Sequence, residues 1–105
     1  MTFVRIWRFR AAPGRAGAFE AAYGANGDWA RLFSRAAGYL GTELLRAVYD
    51  GESYLTIDRW ESQESWDRFR GEHASEYDEL DRRCEKLTIE EEQVGDYRAA
   101  KGLLP

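Results

Sequence analysis

The first ten residues alternate: Phe3, Arg5, Trp7 and Phe9 fall on one side of an extended segment, Val4, Ile6, Arg8 and Arg10 on the other. Both sides carry large apolar groups, which predicts a strand covered on both faces. Ala11-Ala12-Pro13-Gly14 reads as a turn. Phe19, Tyr23, Asn26, Ala30 and Phe33 then recur at helical spacing to about Ala37. Gly24 and Gly27 interrupt that pattern and Asp28 is placed to cap a second segment, so two consecutive helices, or one kinked helix, are expected. Gly38 stands where a helix-ending glycine would, and Tyr39 to Val48 reads as a strand closed by an Asp50-Gly51 hairpin turn. In the next strand, Tyr54 to Trp60, Leu55 and Ile57 alternate with Tyr54, Thr56, Asp58 and Trp60, a face that is polar but aromatic. After Ser62, a good N-cap, the residues Trp66, Phe69, His73, Tyr77, Leu80, Cys84 and Leu87 step by threes and fours. One long helix is predicted there, with Gly71 as its weak point. Ile89 to Tyr97 reads as a short final strand whose charge, Glu90-Glu91-Glu92 above all, protects an exposed edge or pairs with arginines.

The element order β-α-β-β-α-β, with right-handed crossovers, predicts an α+β domain of ferredoxin-like topology. It has a four-stranded antiparallel sheet of order 4-1-3-2 with both helices on one face. The domain is expected to span residues 1–97, followed by an irregular tail at 98–105. Helices on one face leave Val4, Ile6 and parts of the second and third strands uncovered. A second copy of the chain packed on that face, a homodimer, is the economical cover.

Composition narrows the partners. With 105 residues, there is room for a single domain and core. No apolar run approaches the ~20 residues needed to span a bilayer, and arginines break the N-terminal stretch that a signal peptide would need. One cysteine and one histidine cannot make an intramolecular disulfide or a structural zinc site, and a reducing cytoplasm fits both facts. The net charge is −4, about +2 over residues 1–52 and −6 over 53–105, which argues against nucleic acid or an anionic membrane surface as partners. G-x-S-x-G, glycine-rich phosphate loops, H-E-x-x-H and C-x-x-C are all absent, so acyl-transfer, nucleotide and metal chemistry find no support.

Three stretches carry a family resemblance: Pro13-Gly14 followed by Phe19-Glu20, Gly38-Tyr39-Leu40-Gly41-Thr42-Glu43-Leu44, and the Asp58-Arg59-Trp60-Glu61-Ser62 junction with its aromatic helix. Over about residues 3 to 97 the chain resembles the antibiotic biosynthesis monooxygenase group. The resemblance implies a dimeric α+β barrel, two sheets packed face to face, with a substrate space between sheet and helices in each subunit. It further implies oxidation of a small aromatic phenol, anthrone or quinol by O2 without metal or flavin, the substrate supplying the electrons. Some relatives degrade haem, bound through a histidine on the second helix. Those have an asparagine in mid-strand where this chain has Trp7, and the departure and the indole's bulk argue against haem. A non-catalytic barrel that holds a small ligand is the alternative from another functional class.

On this reading Trp7, Phe9, Tyr23, Trp29, Phe33, Tyr54, Asp58, Trp66 and Phe69 line an aromatic pocket. Large rings bury area there and leave polar edges free to orient a substrate, although four tryptophans can equally just fill a small core. His73, the one side chain that ordinarily titrates near neutrality, is the candidate for proton transfer, with Tyr77 and Trp60 orienting the substrate oxygen. A lone histidine on an apolar stripe is more commonly a packing residue. Asp58 reads either as a buried base with raised pKa or, more simply, as half of an ion pair with an arginine. Cys84 reads as a small core residue.

Overall fold

β1 (Phe3–Ala11) lies inside a four-stranded sheet because both of its faces are apolar. The computed structural model describes residues 1–100. After β1 come α1 (Ala16–Tyr23), α2 (Asp28–Phe33), β2 (Tyr39–Arg46), β3 (Ser53–Trp60), α3 (Gln63–Glu72), α4 (Ala74–Cys84), one 3₁₀ turn at Glu85–Leu87 and β4 (Thr88–Arg98). The sheet order is β2-β3-β1-β4 with every neighbouring pair antiparallel, the expected ferredoxin-like arrangement. The sheet does not close on itself within one chain. β4 reaches Arg98, and the Ala99 N–H continues the pairing by donating to the Thr2 carbonyl at 3.0 Å. The tail expected at 98–105 otherwise lies largely outside the described residues.

The helices cover the face that carries Phe3, Phe9, Tyr54 and Trp60, which are buried with Phe19, Tyr23, Trp29, Phe33, Trp66, Phe69 and Leu80 in one core. On the other face, direct cross-strand neighbours Leu45 and Leu55, Ile6 and Ile57, and Val4 and Tyr97 form an apolar centre. Leu45 is 42% exposed and Tyr97 48%. Charges flank this centre in pairs, Arg8 with Glu92 and Arg59 with Glu43, both at 3.2 Å. Arg8 and Arg59 are thus bound within the chain.

Three local expectations are corrected. The hairpin is not a two-residue turn: β2 ends at Arg46, and the connection is held by Asp50, whose carboxylate accepts from the Glu52 N–H, the Ser53 hydroxyl and Arg10. That longer tip leaves Val48 and Tyr49 almost wholly exposed. Asp28 is the first residue of α2 and does not cap it; it pairs with Arg31. Most consequentially, the long helix divides at His73, where φ −118° and ψ 30° leave the helical basin. The break falls two residues beyond Gly71 and re-aims α4 relative to α3. Ser62 does cap α3, its side chain accepting from the Ser65 N–H at 3.1 Å.

Gly38 is required by its backbone. Its φ is +94°, and a Cβ there would lie 2.5 Å from the Ser65 hydroxyl oxygen. Gly38→Ala is expected to lose more than about 1 kcal/mol through left-handed strain and this clash. Gly17→Ala, inside α1 with open space around it, should be neutral or slightly stabilising. Thermal melts of the two variants check the contrast.

Candidate functional site

The inner face of the sheet and the underside of the helices leave a cleft open to solvent on one side. Arg5, Trp7 and Phe9 from β1, Thr42 from β2, Thr56 and Asp58 from β3 and Glu91 from β4 make its floor. Tyr23, Trp29, Phe33, Trp66, Tyr77 and Asp81, from all four helices, make its walls. Strand alternation places the floor residues together: Arg5 is directly opposite Asp58, Trp7 opposite Thr56, and Thr42 opposite Asp58 on the other side.

Asp58 is the chemical centre of this floor. Thr42 donates to its Oδ1 at 2.6 Å, and Thr42 in turn lies 2.5 Å from the Tyr39 hydroxyl. Burial pushes the Asp58 carboxyl up to about 6; the Thr42 hydrogen bond and the positive field of Arg5 only partly offset it. The expected ion pair with an arginine is not formed. Arg5 binds Asp96 at 3.1 Å and lays its guanidinium 4.5 Å from the centre of the Trp66 ring, so its charge is spent across the sheet and on an aromatic face. A carboxylate that titrates near neutrality beside an aromatic cleft can take a proton from a bound acid.

The rings pack closely. Trp29 meets Tyr77 edge-on at 4.9 Å, and Arg70 covers the Tyr77 ring at 3.9 Å. Burial raises the Tyr77 hydroxyl above its ordinary value, so it is a donor at neutral pH. At the mouth, burial first and then the negative charge of Asp81 raise Glu91. The cleft encloses about 70 Å³, below the roughly 300 Å³ at which ordinary small-ligand sites begin. A fused aromatic ring therefore enters only if lining side chains move. Trp7 is only half-buried, stacked on Phe9 at 6.0 Å, and has room to do so.

Of the residues singled out from sequence, Trp7, Phe9, Tyr23, Trp29, Phe33, Asp58, Trp66 and Tyr77 meet at the cleft. His73, Trp60, Tyr54 and Phe69 are not among its lining residues. The break at His73 puts its ring on Phe69, stacked at 5.1 Å, with Nδ1 3.0 Å from Glu76 Oε1. Glu76 thereby ties His73 to Arg35. Trp60 is fully buried among Phe33, Tyr39, Trp66 and Phe69. The Tyr54 hydroxyl is committed to Glu20 at 2.6 Å. Cys84 is buried, as expected, and burial raises its thiol.

Sequence reasoning missed Arg5, Thr42, Thr56, Asp81 and Glu91 as lining residues. Alternation already put Arg5 with Trp7, Thr56 with Asp58, and Glu91 opposite Glu90 and Glu92. Thr42 required the β2–β3 register, and Asp81 the true direction of α4. Among the described residues no three His, Cys, Asp or Glu side chains group to hold a metal ion, and no helix is long and apolar enough to cross a membrane.

A sequence profile described as "Antibiotic biosynthesis monooxygenase" matches residues 2–77. None of the curated proteins matches the chain. Among solved structures, a mutant of SnoaB, a cofactor-independent oxygenase from Streptomyces nogalater, superposes with a TM-score of 0.75 at 22% identity, covering 97% of this chain and 96% of that one. PA3566 from Pseudomonas aeruginosa gives 0.62 at 25% identity, with 94% and 95% covered. Rv0793 from Mycobacterium tuberculosis gives 0.70 at 16%, with 99% and 100% covered. At these identities the structural likenesses show the shared fold.

Proposed function

The chain belongs to the antibiotic biosynthesis monooxygenase family, and from that membership and the cleft we propose that it oxidises a small aromatic phenol, anthrone or quinol with O2, without metal or flavin. The observation that carries the reading is Asp58, a desolvated carboxylate at the floor of an aromatic cleft with Thr42 on one oxygen. The description of SnoaB as a cofactor-independent oxygenase supports it.

In the proposed reaction the substrate O–H bond breaks and its proton passes to Asp58, leaving a phenolate or enolate. That anion gives one electron to O2, and the resulting carbon radical and superoxide recombine into a peroxide. Protonation and loss of water from the peroxide leave a new carbonyl. Trp7 and Trp66 hold the ring, and the Tyr77 hydroxyl donates to the substrate oxygen. His73, behind Phe69, acts on packing and on the α3–α4 junction, which moves the proton-accepting role from the histidine to Asp58. The test is oxygen uptake by EDTA-treated protein with an anthrone or quinol from pH 5 to 9. A rate that rises through about pH 6 and is retained in a folded His73→Ala variant is expected. Loss of turnover in His73→Ala, with Asp58→Asn active, would reverse the two roles.

The narrow cleft favours one second reading, a non-catalytic family member whose own rings fill the site. Uptake of oxygen with none of a broad set of phenols, together with no binding of them by calorimetry, supports that reading.

The proposed partner is a second copy on the apolar open face centred on Ile6, Leu55 and Ile57, in a reducing cytoplasm. Sedimentation at micromolar concentration is expected to give about twice 12.1 kDa. Ile57→Lys, placing a charge at the centre of that face, should shift the protein to monomer. A folded wild-type monomer would remove the barrel.

A further inference from the structure

Asp58 does not stand alone on the floor of the cleft. The Tyr39 hydroxyl lies 2.5 Å from Thr42 Oγ1, which lies 2.6 Å from Asp58 Oδ1. A threonine hydroxyl has one hydrogen. Since an ionised Asp58 can only accept, Thr42 donates to it and must accept from Tyr39, which fixes the direction of the whole chain of bonds. Burial, and behind it the negative charge on Asp58 working against the Thr42 hydrogen bond, holds the Tyr39 hydroxyl protonated at neutral pH. Among the described residues Asp58 Oδ2 has no hydrogen-bond partner, and Tyr39 is only partly buried.

The local structure is built to hold this line. Thr42 is the direct cross-strand neighbour of Asp58. Between Tyr39 and Gly41 the β2–β3 register shifts by a residue, and Gly41 takes φ +144°. That irregularity, together with the three-residue separation, brings the Tyr39 hydroxyl back onto Thr42, with the Tyr39 ring seated on Trp60 at 5.2 Å and Phe33 at 5.6 Å.

We propose that Tyr39 and Thr42 are positioning residues for Asp58, a two-hydroxyl relay that steadies the carboxylate and passes on to water the proton it accepts from the substrate. This rests on the proton-accepting role assigned to Asp58 above. In each turnover the substrate O–H proton goes to the Asp58 carboxylate. Once Asp58 is neutral the hydroxyls turn round, so that Asp58 donates to Thr42, Thr42 to Tyr39 and Tyr39 to water. They turn back when Asp58 is ionised again, and the peroxide takes its proton from water. One proton enters, one leaves, every hydroxyl is restored, and no electrons move along the line.

Other charged and titratable groups also face Asp58 or its cleft. Arg5 approaches from β1, already bound to Asp96 of β4. Tyr77 and Asp81 face the cleft from α4, and Glu91 from β4. None of them makes a hydrogen bond to Asp58 among the described residues; Arg5 acts on the carboxyl through its field, and Thr42 through a hydrogen bond.

The experiment follows the Asp58 carboxyl by carbon-detected NMR through a pH titration of the full chain, with Asp58→Asn identifying the signal. Wild type, Thr42→Val, Thr42→Ser and Tyr39→Phe are compared. Thr42→Val should raise the Asp58 midpoint by about one pH unit, the scale of a hydrogen bond to an ionised group, and Thr42→Ser should restore it. Tyr39→Phe should leave Thr42 bound to Asp58, with a smaller upward shift. With a phenol that the wild type oxidises, Tyr39→Phe should lower kcat towards the ~10²-fold lower limit of general-base effects while KM stays constant. Adding a small weak-acid buffer should recover that loss, which a purely structural role would not allow. An Asp58 midpoint unmoved by Thr42→Val overturns the relay, as does a Tyr39→Phe kcat that equals wild type or ignores buffer. The titration needs no turnover, so a wild type that consumes no oxygen removes the oxidase reading while the relay is still judged by the midpoints.

Discussion

Asp58→Asn is expected to lower turnover roughly 10²–10⁴-fold and, in the same molecule, to stabilise the fold. Both effects come from one cause. Burial lifts the Asp58 carboxyl from an ordinary value of 3.8 to about 6. Between those two values the native state binds more protons than the unfolded chain, so stability falls as pH rises through that window, and the loss is complete above about pH 6. A shift of about two units corresponds to up to about 3 kcal/mol. Asparagine is neutral at every pH and keeps an oxygen that can accept from Thr42, so it escapes the loss while giving up the ability to take a proton. Denaturant midpoints from pH 3 to 8 should show wild type falling relative to Asp58→Asn between about pH 4 and 6, then running parallel. Curves parallel throughout would mean that the carboxyl is not desolvated. For catalysis the sign is opposite, because the base works only when ionised. kcat/KM should therefore climb through about pH 6 in wild type and lose that limb in the variant. A site that is less stable at the pH at which it works is what an acid–base role requires.

The second large effect is on the core. Trp60→Ala is expected to cost about 3–5 kcal/mol, a large share of the roughly 5–15 kcal/mol that holds a small domain together. Trp60 is fully buried, and its ring lies within 5.2–5.5 Å of Phe33, Tyr39, Trp66 and Phe69, so its loss leaves a cavity beneath both the α3 start and the Tyr39 end of the relay. Its indole Nε1 has no hydrogen-bond partner among the described residues. Trp60→Phe forfeits no hydrogen bond, relieves an unpaired buried donor, and should cost clearly less than alanine. The comparison by chemical denaturation separates volume from polarity. Equal losses for the two substitutions would mean that the N–H is satisfied in solution.

Much of the fold was legible from the chain because it rests on short-range periodicity. Alternation in Phe3–Arg10 and Tyr54–Trp60, the glycine at 38 and the cap at Ser62 each reflect local backbone geometry. The sheet order followed from the handedness of crossover connections. The same alternation placed most of the cleft, since Trp7, Phe9 and Asp58 had to share the helix-covered faces of their strands. Periodicity did not reveal the break at His73. A stripe of threes and fours reads identically through a helix and through two helices joined at an angle, and only packing against the sheet decides between them. That break carried His73 out of the cleft and turned Tyr77 and Asp81 towards it. Pairing register was equally invisible, because it depends on contacts between segments far apart in sequence. Register put Thr42 beside Asp58, drew Arg5 away to Asp96, and so made a partly buried carboxylate without an ion-pair partner where the local pattern suggested an ion pair. The sequence by itself determined the elements, their order and the face each side chain takes. Only the tertiary structure decided which of those side chains meet and which charges remain without a partner, because desolvation and partner choice depend on every element that closes over a group.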